Sequence, residues 1–207
     1  MSKLLNVSSS PHVRCGVSTK NLMYDVAIAM LPATIWGVMQ FGIYSLIVVV
    51  ATVLSCVLSE YLFESLMHKP VIIIDGSSLV TGVIVCFDMP PAIPIWMPIL
   101  GGIFAIIVVK QLYGGLGQNW MNPALAARCF MLISFAQAMT KFTDPVTDAV
   151  ASATPLAAIK AGDTYDLAAM FIGKIPGTIG EVSVIALLIG AAYLLVKKVI
   201  TIRMQAG

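Results

Sequence analysis

Residues 42–59 carry no charge and are rich in valine and leucine. A helix needs roughly 20 mostly apolar residues to cross a bilayer, and this run, continued by one more helical turn, supplies them. Comparable stretches occupy 22–39, 93–109 and 182–196, and another begins after Asn122 and reaches about Met139. Of the 207 residues, 59% are apolar and only 11% charged, whereas a soluble domain carries about 25% charged residues. So few charges cannot cover a water-facing surface, so lipid is the solvent for most of the chain. The expected fold is all-α: a polytopic helical membrane protein with about five full spans plus one short or broken helix.

The short piece is 77–88. Its apolar part, 79–87, is too short to span as an ordinary helix; Asp75-Gly76 precedes it and Asp88-Met89-Pro90-Pro91 ends it. A broken helix survives at membrane depth only when buried in protein or lining a cavity, and such pieces often build transport sites. Ionisable groups there are costly and are functional candidates by default. Asp75 is the first candidate for an ion path, with a helix-start cap as its alternative. Arg128, inside an apolar stretch, is expected to partner a carboxylate or carbonyl. Glu60 and Glu64 share one helix face and are expected, with His68, at the wet end of their helix.

Four segments follow: 1–20 as a cytoplasmic N-terminal segment without a signal peptide, 21–139 as membrane helices, 140–181 as a polar loop, and 182–207 as the last span with a basic cytoplasmic end. Counting 77–88 as a crossing places Lys3, Arg14, Lys20, Lys69, Lys110, Lys197, Lys198 and Arg203 inside, and Lys141, Lys160 and Lys174 outside. That bias puts the long loop on the outer side.

Other chemistries find little support. Cys15, Cys56, Cys86 and Cys129 form no CxxC pair, and His12 and His68 lack ligand spacing, so no metal site is expected. The net charge of +2 comes without a basic cluster, which argues against nucleic acid. The Gly114-Gly115-Leu116-Gly117 bend is neither GxGxxG nor a Walker loop. Asn122-Pro123 suits a helix start, with Asn as cap and Pro in the first turn. Thr154-Pro155, in the long loop, has the same form. Its free N–H groups suit either a plain cap or a phosphate, and Ala151, Ser152 and Ala153 are small enough for a bulky group to approach.

Several motifs occur together: Ser10-Pro11-His12, Lys69-Pro70, Asp75-Gly76-Ser77, Val80-Thr81-Gly82, Pro90-Pro91, the bend from Lys110 to Asn122, and Gly180-Glu181-Val182-Ser183. In this combination the chain resembles the D subunits of Rnf electron-transport complexes, relatives of the B subunit of the sodium-pumping NADH:quinone oxidoreductase. The resemblance implies FMN joined by a phosphoester to Thr154, within a motif where Ala151, Ser152 and Ala153 stand for the family's Ser-Gly-Ala. It also implies a second, non-covalent flavin such as riboflavin, for which Asn119 and Asn122 are candidate hydrogen-bonding residues, helix packing through small residues being the alternative for that bend. It further implies a subunit of an inner-membrane complex, beside other membrane and peripheral subunits, that couples electron transfer between ferredoxin and NAD to Na⁺ or H⁺ translocation. Family members usually continue with further spans, so a truncated or partial subunit is expected. An ion or solute transporter without redox function, or the equivalent subunit of a quinone-reducing pump, stays open as an alternative.

Overall fold

The computed structural model describes residues 18–69, 71, 73–143, 150–151, 159–160 and 167–200. Two long antiparallel helices, α1 (Thr19–Phe41) and α2 (Ile43–Leu66), meet at Gly42, whose φ of 80° makes the sharp reversal available to glycine. Both have the length and apolar character to cross a membrane by themselves. After a 3₁₀ turn (Ile73–Asp75) come the short α3 (Ser77–Phe87) and α4 (Trp96–Ile103), which runs on as a π-helix, Phe104–Gln111. Then follow α5 (Pro123–Ser134), α6 (Ala136–Met139), the two-residue strands β1 (Phe142–Thr143) and β2 (Val150–Ala151), α7 (Leu167–Ile172) and α8 (Val184–Val196). The strands pair antiparallel, Phe142 with Ala151 and Thr143 with Val150. The described structure is thus helical, as expected, with this small pairing inside the long loop.

The faces of α2 explain why lipid must surround it. Its buried side carries Ser45, Thr52, Ser55, Ser59, Glu60 and Glu64 alongside Val48, Val49 and Cys56. Leu46, Val50, Leu54, Leu58 and Leu62 point outward and are exposed. A helix at a water surface shows the opposite pattern. Small and polar residues at helix contacts, with branched apolar residues outside, are what a hydrocarbon solvent selects. The arrangement is that of a membrane protein.

Close approach of α2 to its neighbours depends on missing side chains. A Cβ on Gly82 of α3 would lie 2.9 Å from the Val53 Cα, and one on Gly102 of α4 would collide with Ser55 and Cys56. The core between them holds Val48, Val85, Cys86, Met89, Ile93, Ala105, Ala124 and Met131.

At one end of the bundle, hereafter the base, α1 begins and α8 finishes. There Tyr193 donates to Asp25 at 3.0 Å, and Lys197 lies 3.7 Å from the same carboxylate. At the other end Tyr44, which opens α2, donates to the Ile93 carbonyl at 2.8 Å. Residues 88–95 therefore continue from the end of α3 toward that far end without helix. The segment before α8 covers this break: Gly180 N–H donates to the Phe87 carbonyl at 3.2 Å, and Ile179 N–H to the Met89 carbonyl at 3.0 Å.

The helix expected to reach about Met139 stops sooner. Phe135 leaves the helical region (φ −134°, ψ 46°), and its ring meets Trp96 edge-on with centroids 5.2 Å apart. Apolar periodicity continues through this position, so only the tertiary contact marks the break.

Candidate functional site

Five side chains from three places in the chain converge at the base. Lys110 sits in the π-helical turn at the end of α4 and is 1% exposed. Its ammonium lies 2.5 Å from Glu60 Oε1 of α2 and donates to Ser77 Oγ, in the first turn of α3, at 2.6 Å. The adjacent Gln111 donates to Glu60 Oε1 at 2.8 Å and to Glu64 Oε1 at 3.3 Å. π turns occur frequently at functional sites; here the wider turn lets two consecutive residues reach one acid pair.

Glu60 and Glu64 are 2% and 5% exposed, which corrects the expectation that they occupy a wet helix end. Helix periodicity put them on one face correctly. What it lacked was the partner face, because Lys110 and Gln111 lie far away in sequence and arrive only when α4 packs on α2. Unpaired, these acids would not survive burial; the lysine and glutamine make it tolerable.

Asp75 precedes Gly76, the N-cap of α3, and its side chain hydrogen-bonds the first residue of that helix. Its Oδ1 accepts from Ser77 N–H at 2.9 Å and from Ser77 Oγ at 2.8 Å. Because Ser77 also accepts from Lys110, hydrogen bonds run unbroken from half-buried Asp75 through Ser77 and Lys110 to Glu60.

Beside this network lies a cavity of about 380 Å³, lined by Ser77, Thr81, Lys110, Asn119, Asn122 and apolar neighbours including Val80, Ile84 and Met121. Small-molecule sites occupy roughly 300–1,000 Å³ and combine an apolar lining with a few placed polar groups. Asn122 Oδ1 caps α5, accepting from Ala124 N–H at 3.0 Å and more weakly from Leu125 N–H at 3.5 Å. Asn119 Oδ1 is buried and has no hydrogen-bond partner among the described residues. The structure thus brings Asn119, Asn122 and the Asp75–Ser77 turn to one place. Thr154, Ser152 and Ala153 lie outside the described residues.

A second ionic cluster sits about 16 Å further along α3, at ~1.5 Å per residue. Arg128 of α5 donates to Asp88 Oδ1 at 2.7 Å and lies 3.6 Å from Glu181 Oε1. Arg128 therefore has the carboxylate partner expected for it. Asp88 is 6% exposed, and its Oδ2 has no partner among the described residues. The two ends of the broken helix each carry an ionic group, with the apolar α3 core between them. No group of three or more potential metal ligands occurs among the described residues.

Residues 6–207 match the NQR2, RnfD, RnfE family. The chain belongs to that family. Within it, the chain is 45% identical, over 96% of its length, to the D subunit of the Na⁺-translocating ferredoxin:NAD⁺ oxidoreductase complex of Acetobacterium woodii. It is 39% identical over 95% of its length to the proton-translocating counterpart of Clostridium ljungdahlii. It is 32% identical over 93% to the D subunit of the ion-translocating oxidoreductase complex of Rhodobacter capsulatus. The chain spans 64% of the length of each of these three relatives.

Proposed function

We propose that this chain is a membrane flavoprotein subunit of an inner-membrane complex that couples electron transfer between ferredoxin and NAD to Na⁺ or H⁺ translocation. The observation that supports the electron-transfer and ion-translocation part of this reading is the family match along 6–207, with 45% identity to a relative named for that activity. Other subunits of the same complex are its partners, and the ferredoxin and nicotinamide chemistry belongs to them.

The cavity at the base fits an isoalloxazine ring. The ring has an apolar benzenoid end and a polar edge of N–H and carbonyl groups. The lining offers Val80, Ile84 and Met121 for the first, and Asn119, Asn122 and Lys110 for the second. The unpartnered Asn119 Oδ1 is an acceptor suited to a ring N–H. Bound there, a flavin such as riboflavin supplies one- and two-electron redox chemistry, while the protein positions it and sets its electrostatics. Thr154 is the proposed attachment point of a covalent FMN, with Ser152 and Ala153 beside it. A phosphoester retains the cofactor in a loop facing away from the cytoplasm.

The ion path is proposed to run along the broken α3, entered at Asp75. Support comes from the hydrogen-bonded chain Asp75–Ser77–Lys110–Glu60 at one end and the Asp88–Arg128 pair at the other. In this reading α1 and α2 cross outright, and α3 with residues 88–95, α4 with its π turn, α5 with α6, and α8 complete the other passages. Lys20, Lys69, Lys110, Lys197 and Lys198 then gather at the cytoplasmic base, and the flavin-bearing loop lies on the outer side.

Covalent flavin is tested by in-gel fluorescence after denaturation, combined with intact mass. The wild-type chain should give a fluorescent band and an FMN-sized mass increment, both absent in Thr154→Ala. A fluorescent band that persists in Thr154→Ala removes that residue as the attachment point.

A further inference from the structure

Lys110 faces two ways. It pairs with buried Glu60 at 2.5 Å, and it also lines the cavity, whereas Glu60 does not. Its ammonium has three N–H donors; two are taken by Glu60 Oε1 and Ser77 Oγ among the described residues. The pair is close to neutral as a whole. From the cavity, however, the positive end is nearer and the negative end lies behind it. Both side chains are at most 3% exposed, so water screens this dipole weakly.

We infer that Lys110 sets the charge felt by a flavin ring in the base cavity, and that Glu60, with no contact to the ring, sets how much of that charge is exposed. The inference rests on the cavity being a flavin site. A ring that gains two electrons and one proton becomes anionic, with the added charge at its N1–C2 carbonyl edge. A fixed cation at the wall favours that reduced form. Neutralising Glu60 while keeping Lys110 leaves the cation less compensated and favours the reduced form further. Neutralising both removes the net positive field. The two changes therefore move the equilibrium in opposite directions, which a purely structural role for the pair does not produce.

The test uses the full chain in lipid nanodiscs, in a Thr154→Ala background so that only non-covalent flavin is read, with riboflavin as the probe. Binding is followed by fluorescence quenching, and the flavin reduction potential by spectroelectrochemical titration. Glu60→Gln should shift the potential upward. The double variant Glu60→Gln/Lys110→Met, which replaces the ion pair with neutral side chains of similar length, should shift it downward. Lys110→Arg in the wild-type acid background should stay near the parent value. Bound riboflavin whose potential is the same in the parent, Glu60→Gln and the double variant overturns the inference while leaving the cavity as a flavin site. Failure of the parent chain to bind riboflavin overturns both. The titration reads the flavin itself and needs no turnover of the assembled complex.

Discussion

Breaking the Lys110–Glu60 pair from one side should cost far more than removing it from both. The two side chains are 2% and 3% exposed, and the charges lie 2.5 Å apart. At an effective dielectric near ~20 the attraction is on the order of 6 kcal/mol, part of which offsets the desolvation of both ions. Lys110→Met leaves Glu60 buried with the Gln111 amide as its donor, and Glu60→Gln takes away the carboxylate that pairs with the ammonium. Removing one partner of a buried pair costs about 3–5 kcal/mol. The double variant Glu60→Gln/Lys110→Met keeps the volume and loses both charges. Its cost should stay within about 1.5 kcal/mol of the parent, since neutral replacement of a buried ion pair is often tolerated. SDS-titrated unfolding of the purified chain, followed by tryptophan fluorescence, measures all four corners of the cycle. A double variant as unstable as the sum of the singles would mean that packing, not charge, holds the base together. Single variants costing under about 1 kcal/mol would mean that water reaches the pair, and the burial argument would fail.

Asn122→Ala removes the cap of α5 and should cost about 1 kcal/mol; on the flavin reading it should also weaken riboflavin binding, whereas Asn122→Asp should keep the stability. Gly82→Ala places a Cβ 2.9 Å from the α2 backbone, so the purified variant should unfold earlier than wild type, and Gly82→Leu should not yield folded chain. Replacing Arg128 with Leu leaves Asp88 buried without its donor and should destabilise by about 1.5–3 kcal/mol, with Arg128→Lys recovering part of the loss; an equal loss in both variants would point to guanidinium geometry rather than charge. Asp75→Asn keeps an acceptor for Ser77 and should unfold like wild type, while ion transport by assembled vesicles should fall; unchanged transport would take Asp75 off the ion path.

Much of the architecture is legible along the chain. The uncharged run in α2, the short α3 bounded by Asp75-Gly76 and Asp88-Met89-Pro90-Pro91, and the Asn122-Pro123 start of α5 are local signals, and each element lies where they indicate. Local signals suffice because the apolar lengths a bilayer demands and the hydrogen bonds of a helix end are satisfied by residues close in sequence. Asn119 and Asn122 stand out through resemblance, and their convergence with Ser77 on one cavity is a property of the fold. Lys110 shows where local reading ends. Beside an apolar stretch it reads as a span end, and Glu60 and Glu64 read as a solvated face. Their burial follows from α4 rewinding into a π turn and α2 packing closely on α3 and α4 at Gly82 and Gly102. Sequence by itself determined that lipid surrounds these helices and that one of them is broken. Only tertiary structure decided which charges meet, because an ion pair in hydrocarbon needs a partner supplied by another helix, and no periodicity within one helix encodes it.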